Sequence, residues 1–457
     1  METHHHKRSA FSGKLGFVLS AAGASVGLGN IWRFPYLAAK YGGGIFLLIY
    51  IVLAVTFGYT MIMAETALGR MTKKSPVGAF AAFGKGGGFA FGGWINAIIP
   101  MLIVPYYSVI GGWVIKYLVE YLRGGGSALA QDGYFSEFIS SGVSVELCFV
   151  VFTLFTLGII YAGVRNGVER VSKCMMPVLA VLSVIIAVYS VTRPGALAGV
   201  KYFLVPNLDN FSWMTVVSAM GQMFYSLSIA MGILITFGSY MKKDVSIEGS
   251  TTNVEIFDTA IAIMAGLMII PAVFAFSGGD PDTLQAGPAL MFITIPKVFD
   301  SMGMGTVVGV MFFLLVLFAA VTSSIALTES AVSTFEDELG WKRHKSTLLI
   351  GVIMLALGSL SALGYGPLAG VTVFGMQFLD LFDFLTNSVM MPIAAIATCL
   401  LVSRVVGVDK IEEEVTQNGG QFRRKAVFNF MIRYLCPLFA AIILVSSVAN
   451  ALGWIKM

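Results

Sequence analysis

The segment from Gly23 to Pro35 constrains this chain most, because it places three glycines, an asparagine and an arginine inside an otherwise apolar run. Glycine weakens a helix and lets other groups approach the backbone closely. An unwound turn at bilayer depth is tolerated only where protein buries it or where it lines a cavity. We therefore predict a substrate or ion site here. Gly23 and Gly27 would also suit close helix packing, but packing explains neither Asn30 nor Arg33.

Composition indicates what surrounds the rest of the chain. Of its 457 residues, 57% are hydrophobic and 12% are charged, whereas soluble domains carry about 25% charged residues. A helix needs about 20 apolar residues to cross a bilayer core of about 30 Å. Eleven such runs are predicted as membrane spans 1 to 11, at residues 13–38, 44–69, 90–122, 146–162, 174–192, 213–240, 256–277, 302–334, 347–363, 371–402 and 426–450.

The distribution of lysine and arginine predicts the orientation of these spans. With a cytoplasmic N-terminus, 21 of the 29 basic residues lie on the inside, and eleven spans place the C-terminus outside. We expect a multi-pass protein of the cell inner (plasma) membrane whose N-terminus is retained. The formal net charge of +4 reflects the inside bias and gives no support to nucleic-acid binding.

The cysteines show no pattern that implies disulfides. All of them lie in or beside predicted spans, and they are interpreted as small apolar residues: Cys148, Cys174, Cys399 and Cys436.

A second interruption lies in span 6, from Ser226 to Gly232. Spans 1 and 6 occupy equivalent places in two five-span halves, and interrupted segments at such places point to a transporter's midplane site. Half-helix N-termini suit a carboxylate, and freed carbonyl oxygens can bind a cation. Taken alone, the serines of span 6 are equally consistent with hydroxyls bonded back to helical carbonyls.

Span 8 and four acidic residues add polar groups to the apolar segments. Adjacent hydroxyls at Thr322 and Ser323 can complete the oxygen shell of a hard cation. Ionisable residues inside spans usually mark pathways or partners. Here they are Glu65, Asp258, Asp380 and Asp383. For Glu65 we favour a structural role over direct transport chemistry.

Together these residues resemble the neurotransmitter:sodium symporter family. The pattern Gly-x-x-x-Gly-Leu-Gly-Asn-x-x-Arg-Phe-Pro begins at Gly23. Further family motifs follow in order: Gly42-Gly43-Gly44, Glu65 to Arg70, Tyr106-Tyr107, Gly221-Gln222, Thr322-Ser323-Ser324 and Phe335 to Leu339.

The resemblance covers essentially the whole chain and implies an all-α polytopic membrane protein with the leucine-transporter fold. In that fold two inverted five-helix repeats, residues 13–192 and 213–403, contain the broken helices 1 and 6. Residues 1–12 would form a cytoplasmic segment, and residues 426–450 an accessory eleventh span.

The resemblance also implies two sodium sites. The first would use the carbonyl of Ser25, the side chains of Asn30 and Ser226, the substrate carboxylate and a residue of span 7. The second would use the carbonyls of Gly23, Val26 and Ala319 and the hydroxyls of Thr322 and Ser323.

The span 7 ligand has two candidates, Asn253 and Asp258. We favour Asp258, because the apolar run that begins at Ile256 places it within the membrane, whereas Asn253 lies in the polar segment before it. A carboxylate here would replace the chloride that some relatives require, since buried cations demand compensating negative charge.

Substrate contacts and gates are implied in the same way. The substrate would contact Ala24, Ser25, Leu28, Gly29, Ile103, Tyr107, Tyr225, Ser226, Ser228, Met231, Ser323 and Leu327. The Tyr107 hydroxyl would bind the carboxylate, and Tyr225 would act as an aromatic lid. The outer gate would be Arg33 with Asp383. The inner gate would be Arg8 with Asp337, beside Phe11 and Tyr240.

The substrate class follows from Gly27, which stands where monoamine-transporting relatives have an aspartate. An α-amino acid can bring its own carboxylate to the first sodium. Its side chain would lie among Ile103, Met231, Ala326 and Leu327, and methionine adapts to varied shapes. The predicted function is therefore sodium-coupled import of a hydrophobic or aromatic L-amino acid by alternating access.

Two alternatives of the same fold are a sodium-dependent amino-acid sensor and a channel-like protein. A channel needs a continuous pore with weak, multi-site binding, whereas paired gates favour alternating access. An enzyme is not expected, because no nucleophile, base and orienting group occur at a recognisable spacing.

Overall fold

The computed structural model describes residues 9–83, 87–278 and 287–454. Within these ranges nine unbroken helices are long and apolar enough to cross a membrane. They are Gly44–Thr72 (span 2), Ala90–Leu122 (span 3), Gly142–Tyr161 (span 4), Val164–Val191 (span 5), Ile247–Ser277 (span 7), Gly305–Leu339 (span 8), Arg343–Leu363 (span 9), Phe378–Val406 (span 10) and Lys425–Ala451 (span 11).

Spans 1 and 6 are the two broken helices. Span 1 consists of Lys14–Ser25 and Gly29–Lys40, which meet at an angle of 55°. Span 6 consists of Trp213–Ser226 and Ile233–Tyr240, joined by residues 227–232. In that connection Ser228, Ala230 and Gly232 have positive φ angles of 52°, 57° and 70°. Left-handed backbone cannot continue a right-handed helix, so the chain unwinds here, as predicted.

Several predicted boundaries are wrong. Span 7 begins at Ile247 rather than at residue 256, because Glu248 accepts a hydrogen bond from the Tyr59 hydroxyl at 2.9 Å and Glu255 pairs with Arg424 at 2.9 Å. These partners allow polar residues to stay helical. Span 5 likewise begins at Val164 rather than at residue 174. Span 10 begins at Phe378 rather than at residue 371, because residues 364–377 form turns.

Short helices connect the spans: Pro76–Ala81, Gly126–Leu129, Tyr134–Ser140, Ala196–Leu204, Ile295–Asp300 and Val408–Thr416. The described residues contain no β-strand, only an isolated bridge between Val373 and Met376.

Burial separates the spans into a centre and a periphery. In the most apolar window of each span, 83% of span 3 and 72% of span 8 is buried, against 33% of span 5 and 28% of span 11. The broken helices therefore lie in the protein interior, where a polar site is protected from lipid.

Candidate substrate and ion site

A cavity of about 30 Å³ lies where the breaks of spans 1 and 6 meet spans 3 and 8. It is lined by Ala24, Ser25, Gly27, Leu28, Gly29, Asn30, Ile103, Tyr107, Tyr225, Ser226, Ser228, Met231, Ser323 and Leu327. The lining includes every residue in the predicted set of substrate contacts. Ala326, expected beside Leu327, is not part of it, because successive helix residues point about 100° apart. Its side chain is buried elsewhere along span 8.

A buried carboxylate lies beside this cavity. Asp258 is 0% exposed. It accepts hydrogen bonds from the Asn30 amide at 2.9 Å, the Ser226 hydroxyl at 3.1 Å and the Tyr50 hydroxyl at 3.4 Å. All three donors are neutral, and within the described ranges no lysine, arginine or histidine pairs with it. An ionised carboxylate buried without a cation is costly, so this arrangement suits a positive ion.

The two candidates for the span 7 ligand lie in different surroundings. Asp258 is in contact with Asn30 and Ser226, whereas Asn253 is exposed on the same helix. The structure also adds a residue that the sequence analysis missed. The Tyr50 hydroxyl lies within hydrogen-bond distance of both Ser226 and Asp258, at 3.2 and 3.4 Å. The sequence signal for this residue is a tyrosine within an apolar stretch of span 2. A buried tyrosine hydroxyl usually needs a hydrogen-bond partner, so such a tyrosine indicates a polar contact inside the protein.

A second group of oxygens lies between span 8 and the break of span 1. The Ser323 hydroxyl is 3.2 Å from the Gly23 carbonyl, 3.2 Å from the Ala24 carbonyl and 3.3 Å from the Val26 carbonyl. A hydroxyl carries one proton, so it cannot satisfy three carbonyls at once. The carbonyls therefore supply more acceptor oxygens around this hydroxyl than its proton can use, and hard cations bind to such oxygens.

Thr322 and Ala319 lie next to these carbonyls. The Thr322 hydroxyl donates to the Phe318 carbonyl at 2.9 Å and lies 3.2 Å from the Ala319 carbonyl. A Cβ atom built at Gly23 would lie 3.0 Å from the Cβ of Thr322, so the two spans pack closely at this point. The structure thus brings together all five residues expected at the second sodium site.

The end of the cavity near Tyr107 has no room for a side chain on span 1. A Cβ built at Gly27 would lie 2.8 Å from the Ser323 hydroxyl oxygen and 3.0 Å from that of Tyr107. The Leu28 backbone N–H donates to the Tyr107 hydroxyl at 3.2 Å. Polar donors of the broken helix and of span 3 therefore meet where a small anionic group can bind.

A larger cavity of about 560 Å³, here called the vestibule, lies on one side of the small one. Tyr225 lines both cavities, and the Arg33 guanidinium lies 5.1 Å from the centre of its ring. The position of Tyr225 is that expected of a lid. Asp380 lies on the vestibule wall and accepts a hydrogen bond from the Tyr365 hydroxyl at 3.3 Å.

The expected outer gate pair is not in contact. Arg33 and Asp383 both line the vestibule, but the Asp383 carboxylate instead accepts hydrogen bonds from the Tyr106 hydroxyl at 3.1 Å and the Asn387 amide at 2.6 Å. Arg33 lies against the ring of Tyr225. The two residues therefore face the same vestibule without forming an ion pair.

The face opposite the vestibule is closed by aromatic packing. Phe11, 1% exposed, makes edge contacts with Phe17, Phe237 and Tyr240 at centroid distances of 6.1, 5.5 and 5.8 Å. Asp337 accepts a hydrogen bond from the Ser75 backbone at 2.6 Å. Arg8, its expected partner, lies outside the described residues. The aromatic packing around Phe11 therefore covers this face among the described residues.

Glu65 lies below the unwound part of span 6. It is 0% exposed, and one of its carboxylate oxygens accepts a hydrogen bond from the Ala230 backbone N–H at 2.6 Å. Ala230 has a left-handed backbone, and unwinding removes the helical partner of its N–H group. The carboxylate supplies a replacement acceptor, which matches a structural role for Glu65.

Comparison with known proteins places this geometry in a family. The model of the sodium:neurotransmitter symporter family matches residues 8–125 and 135–454. The uncharacterized sodium-dependent transporter YhdH of Bacillus subtilis is 34% identical over 441 residues, covering 95% of this chain and 96% of its own. An uncharacterized sodium-dependent transporter of Haemophilus influenzae is 30% identical over 461 residues, covering 98% and 100%.

A solved structure shows the same fold. The crystal structure of MhsT in complex with L-phenylalanine superposes with a TM-score of 0.86 at 34% identity, covering 96% of this chain and 100% of MhsT. The predicted leucine-transporter fold, with its inverted repeats and two broken helices, is confirmed. Family members are transporters and not enzymes. On the family match and these relatives, the chain is a multi-pass, sodium-dependent membrane transporter that belongs to the sodium:neurotransmitter symporter family.

Proposed function

We propose that the chain imports a hydrophobic or aromatic L-amino acid together with sodium by alternating access. The observation that carries this proposal is the buried Asp258 carboxylate, which has only neutral donors around it and lies beside a cavity that shares Tyr225 with a vestibule. The resemblance to MhsT, whose structure holds L-phenylalanine, supports an amino acid of this class.

Two sodium ions are proposed as the co-transported cations. The first would bind between Asp258 and the substrate carboxylate, with Ser25, Asn30 and Ser226 as its other ligands. The second would bind where Ser323 meets the carbonyls of span 1. Its ligand set is Gly23, Val26, Ala319, Thr322 and Ser323. Oxygen donors from carbonyls, hydroxyls and carboxylates are those that hard cations prefer.

The substrate would bind with its carboxylate at the glycine-rich break. Gly27 adds no side chain to this tightly packed contact, and Tyr107 and Ser323 would have to separate from span 1 as the carboxylate enters beside the Leu28 N–H group. Its side chain would then point toward Ile103, Met231 and Leu327, which line the cavity. A cavity of about 30 Å³ is small for such a side chain, so the left-handed stretch around Met231 would have to move as the substrate binds.

The direction of transport follows from the proposed orientation. With the basic loops inside, the vestibule faces outward and the aromatic packing around Phe11 closes the cytoplasmic face. Closure of the outer side would then bring Arg33 to Asp383 above Tyr225. Opening of the inner side would separate Asp337 from Arg8. The two repeats, residues 13–192 and 213–403, are proposed to move relative to each other, with residues 1–12 and 426–450 outside them.

Uptake into proteoliposomes tests the proposal. An inward sodium gradient is expected to accumulate labelled phenylalanine, tryptophan or leucine against its concentration gradient, and replacement of sodium by potassium should abolish accumulation. Sodium-dependent binding without accumulation would identify a sensor instead. Sodium flux that needs no amino acid and saturates weakly would identify a channel.

The second sodium site can be tested by changing Thr322→Ala together with Ser323→Ala. We expect at least tenfold slower uptake even at saturating substrate, because the ion would no longer tie span 8 to span 1. Accessibility of a cysteine introduced near Phe11 should rise, since the inner face would open more often. A Ser324→Ala variant is the matched control, because the Ser324 hydroxyl lies 3.2 Å from the Thr156 hydroxyl of span 4 and not beside the carbonyls of span 1. Wild-type sodium dependence in the double variant would contradict the site.

A further inference from the structure

Three sulfur atoms from three spans meet away from the transport site. The Cys399 thiol of span 10 lies 3.7 Å from the thioether sulfur of Met61 in span 2. The thiol of Cys436 in span 11 adjoins the same Cys399 thiol. The three residues are between 0 and 1% exposed, and neither cysteine forms a disulfide. The proposed transport mechanism uses none of these groups.

We propose that Met61, Cys399 and Cys436 form a binding site for a soft monovalent metal ion such as Cu(I). Thiolate and thioether sulfurs are the ligands that select Cu(I) over hard cations. Metal–sulfur bonds of about 2.3 Å place two ligands of one metal about 4 Å apart at trigonal or tetrahedral angles. The separation between Cys399 and Met61 meets this requirement with little rearrangement.

The charge of the ion also suits this location. Charge is expensive inside a membrane protein unless it is compensated. When Cu(I) binds, the S–H bond of one thiol breaks, an S–Cu bond forms and the proton leaves to solvent. The second thiol and the thioether bind as neutral ligands, so the occupied site has no net charge.

A divalent ion fits less well. Zinc prefers four ligands from cysteine, histidine and carboxylate groups, and within the described ranges no three of these residue types cluster closely enough to hold a metal. A metal on the three sulfurs would join span 2, which packs against the second half of span 6, to spans 10 and 11. We therefore expect a metal bound at this site to slow transport, an expectation that rests on the proposed function.

Competition with a chromogenic Cu(I) chelator tests binding directly. The full-length protein in detergent, with ascorbate present to keep copper reduced, is expected to withdraw one equivalent of Cu(I) from bicinchoninate. Cys399→Ala and Cys436→Ala should each weaken this binding at least tenfold, and Met61→Leu about tenfold. Cys174→Ala should bind as the wild type does, because Cys174 is an exposed residue of span 5.

Sulfur coordination and transport give two further readouts. X-ray absorption should show two to three sulfur neighbours around copper, and Cu(I) should slow wild-type uptake at least tenfold but leave the Cys399→Ala/Cys436→Ala variant unaffected. Failure of the wild type to compete with the chelator would overturn the proposal. Wild-type binding by the double variant, or loss of both thiols to a disulfide without bound metal, would do so as well. Because binding is measured without transport, absence of amino-acid uptake would contradict only the proposed function.

Discussion

Asn30→Ala and Ser226→Ala are expected to abolish the dependence of substrate binding on sodium and to weaken substrate binding in sodium by about ten- to a hundredfold. Both side chains donate to Asp258 and both are proposed ligands of the first ion. Removal of one partner of a buried charged group costs about 1.5–3 kcal/mol, which is this fold-change. Because the substrate carboxylate would share the same ion, the coupling must be reciprocal.

The measurement is a binding titration of the preferred amino acid at several sodium concentrations, and of sodium at several substrate concentrations. Wild-type protein should show each ligand raising the affinity for the other by the same factor. A Ser250→Ala variant is a useful control, because Ser250 lies on the same helix as Asp258 but outside the cavity, and its hydroxyl donates to the Ser246 carbonyl at 2.7 Å. Equal substrate affinity in sodium and in potassium would refute the coupling.

The sequence was sufficient to predict the spans and the two breaks. Glycines and polar residues inside apolar runs have a direct physical meaning in a membrane, because unwound backbone there must be buried or line a cavity. The same polar residues line the cavity in the structure. Their identities therefore limit both the fold and the position of the site.

Features that depend on distant partners could not be predicted in this way. The early start of span 7 depends on Tyr59 and Arg424, which lie far from it in sequence. Tyr50 reaches Asp258 across 208 positions of the chain, and no local pattern indicates that contact. The sequence likewise gives no distance between Arg33 and Asp383, which belong to different spans and have other neighbours in the structure.

Transport is expected to proceed without chloride, because Asp258 places a fixed negative charge beside the proposed first sodium. A buried cation needs such a charge, and relatives without it are expected to take it from a bound anion. Asp258→Ser should therefore reduce uptake at least tenfold in gluconate and recover in part in chloride. The smaller serine leaves space near Tyr50 and Ser226, whose hydroxyls can donate to an anion once the carboxylate is gone.

Two matched variants separate charge from position. Asp258→Asn keeps the shape of the side chain but removes its charge and leaves no added space for an anion, so it should lose uptake in both anions. Asn253→Ser changes an exposed polar residue five positions earlier on the same helix and should leave uptake and the anion response unchanged. Initial uptake rates in matched chloride and gluconate buffers provide the measurement. Two results would show that this carboxylate does not balance the ion: collapse of wild-type uptake in gluconate, or an Asp258→Ser variant that equals wild type in both anions. Asn253 would then become the candidate ligand in span 7.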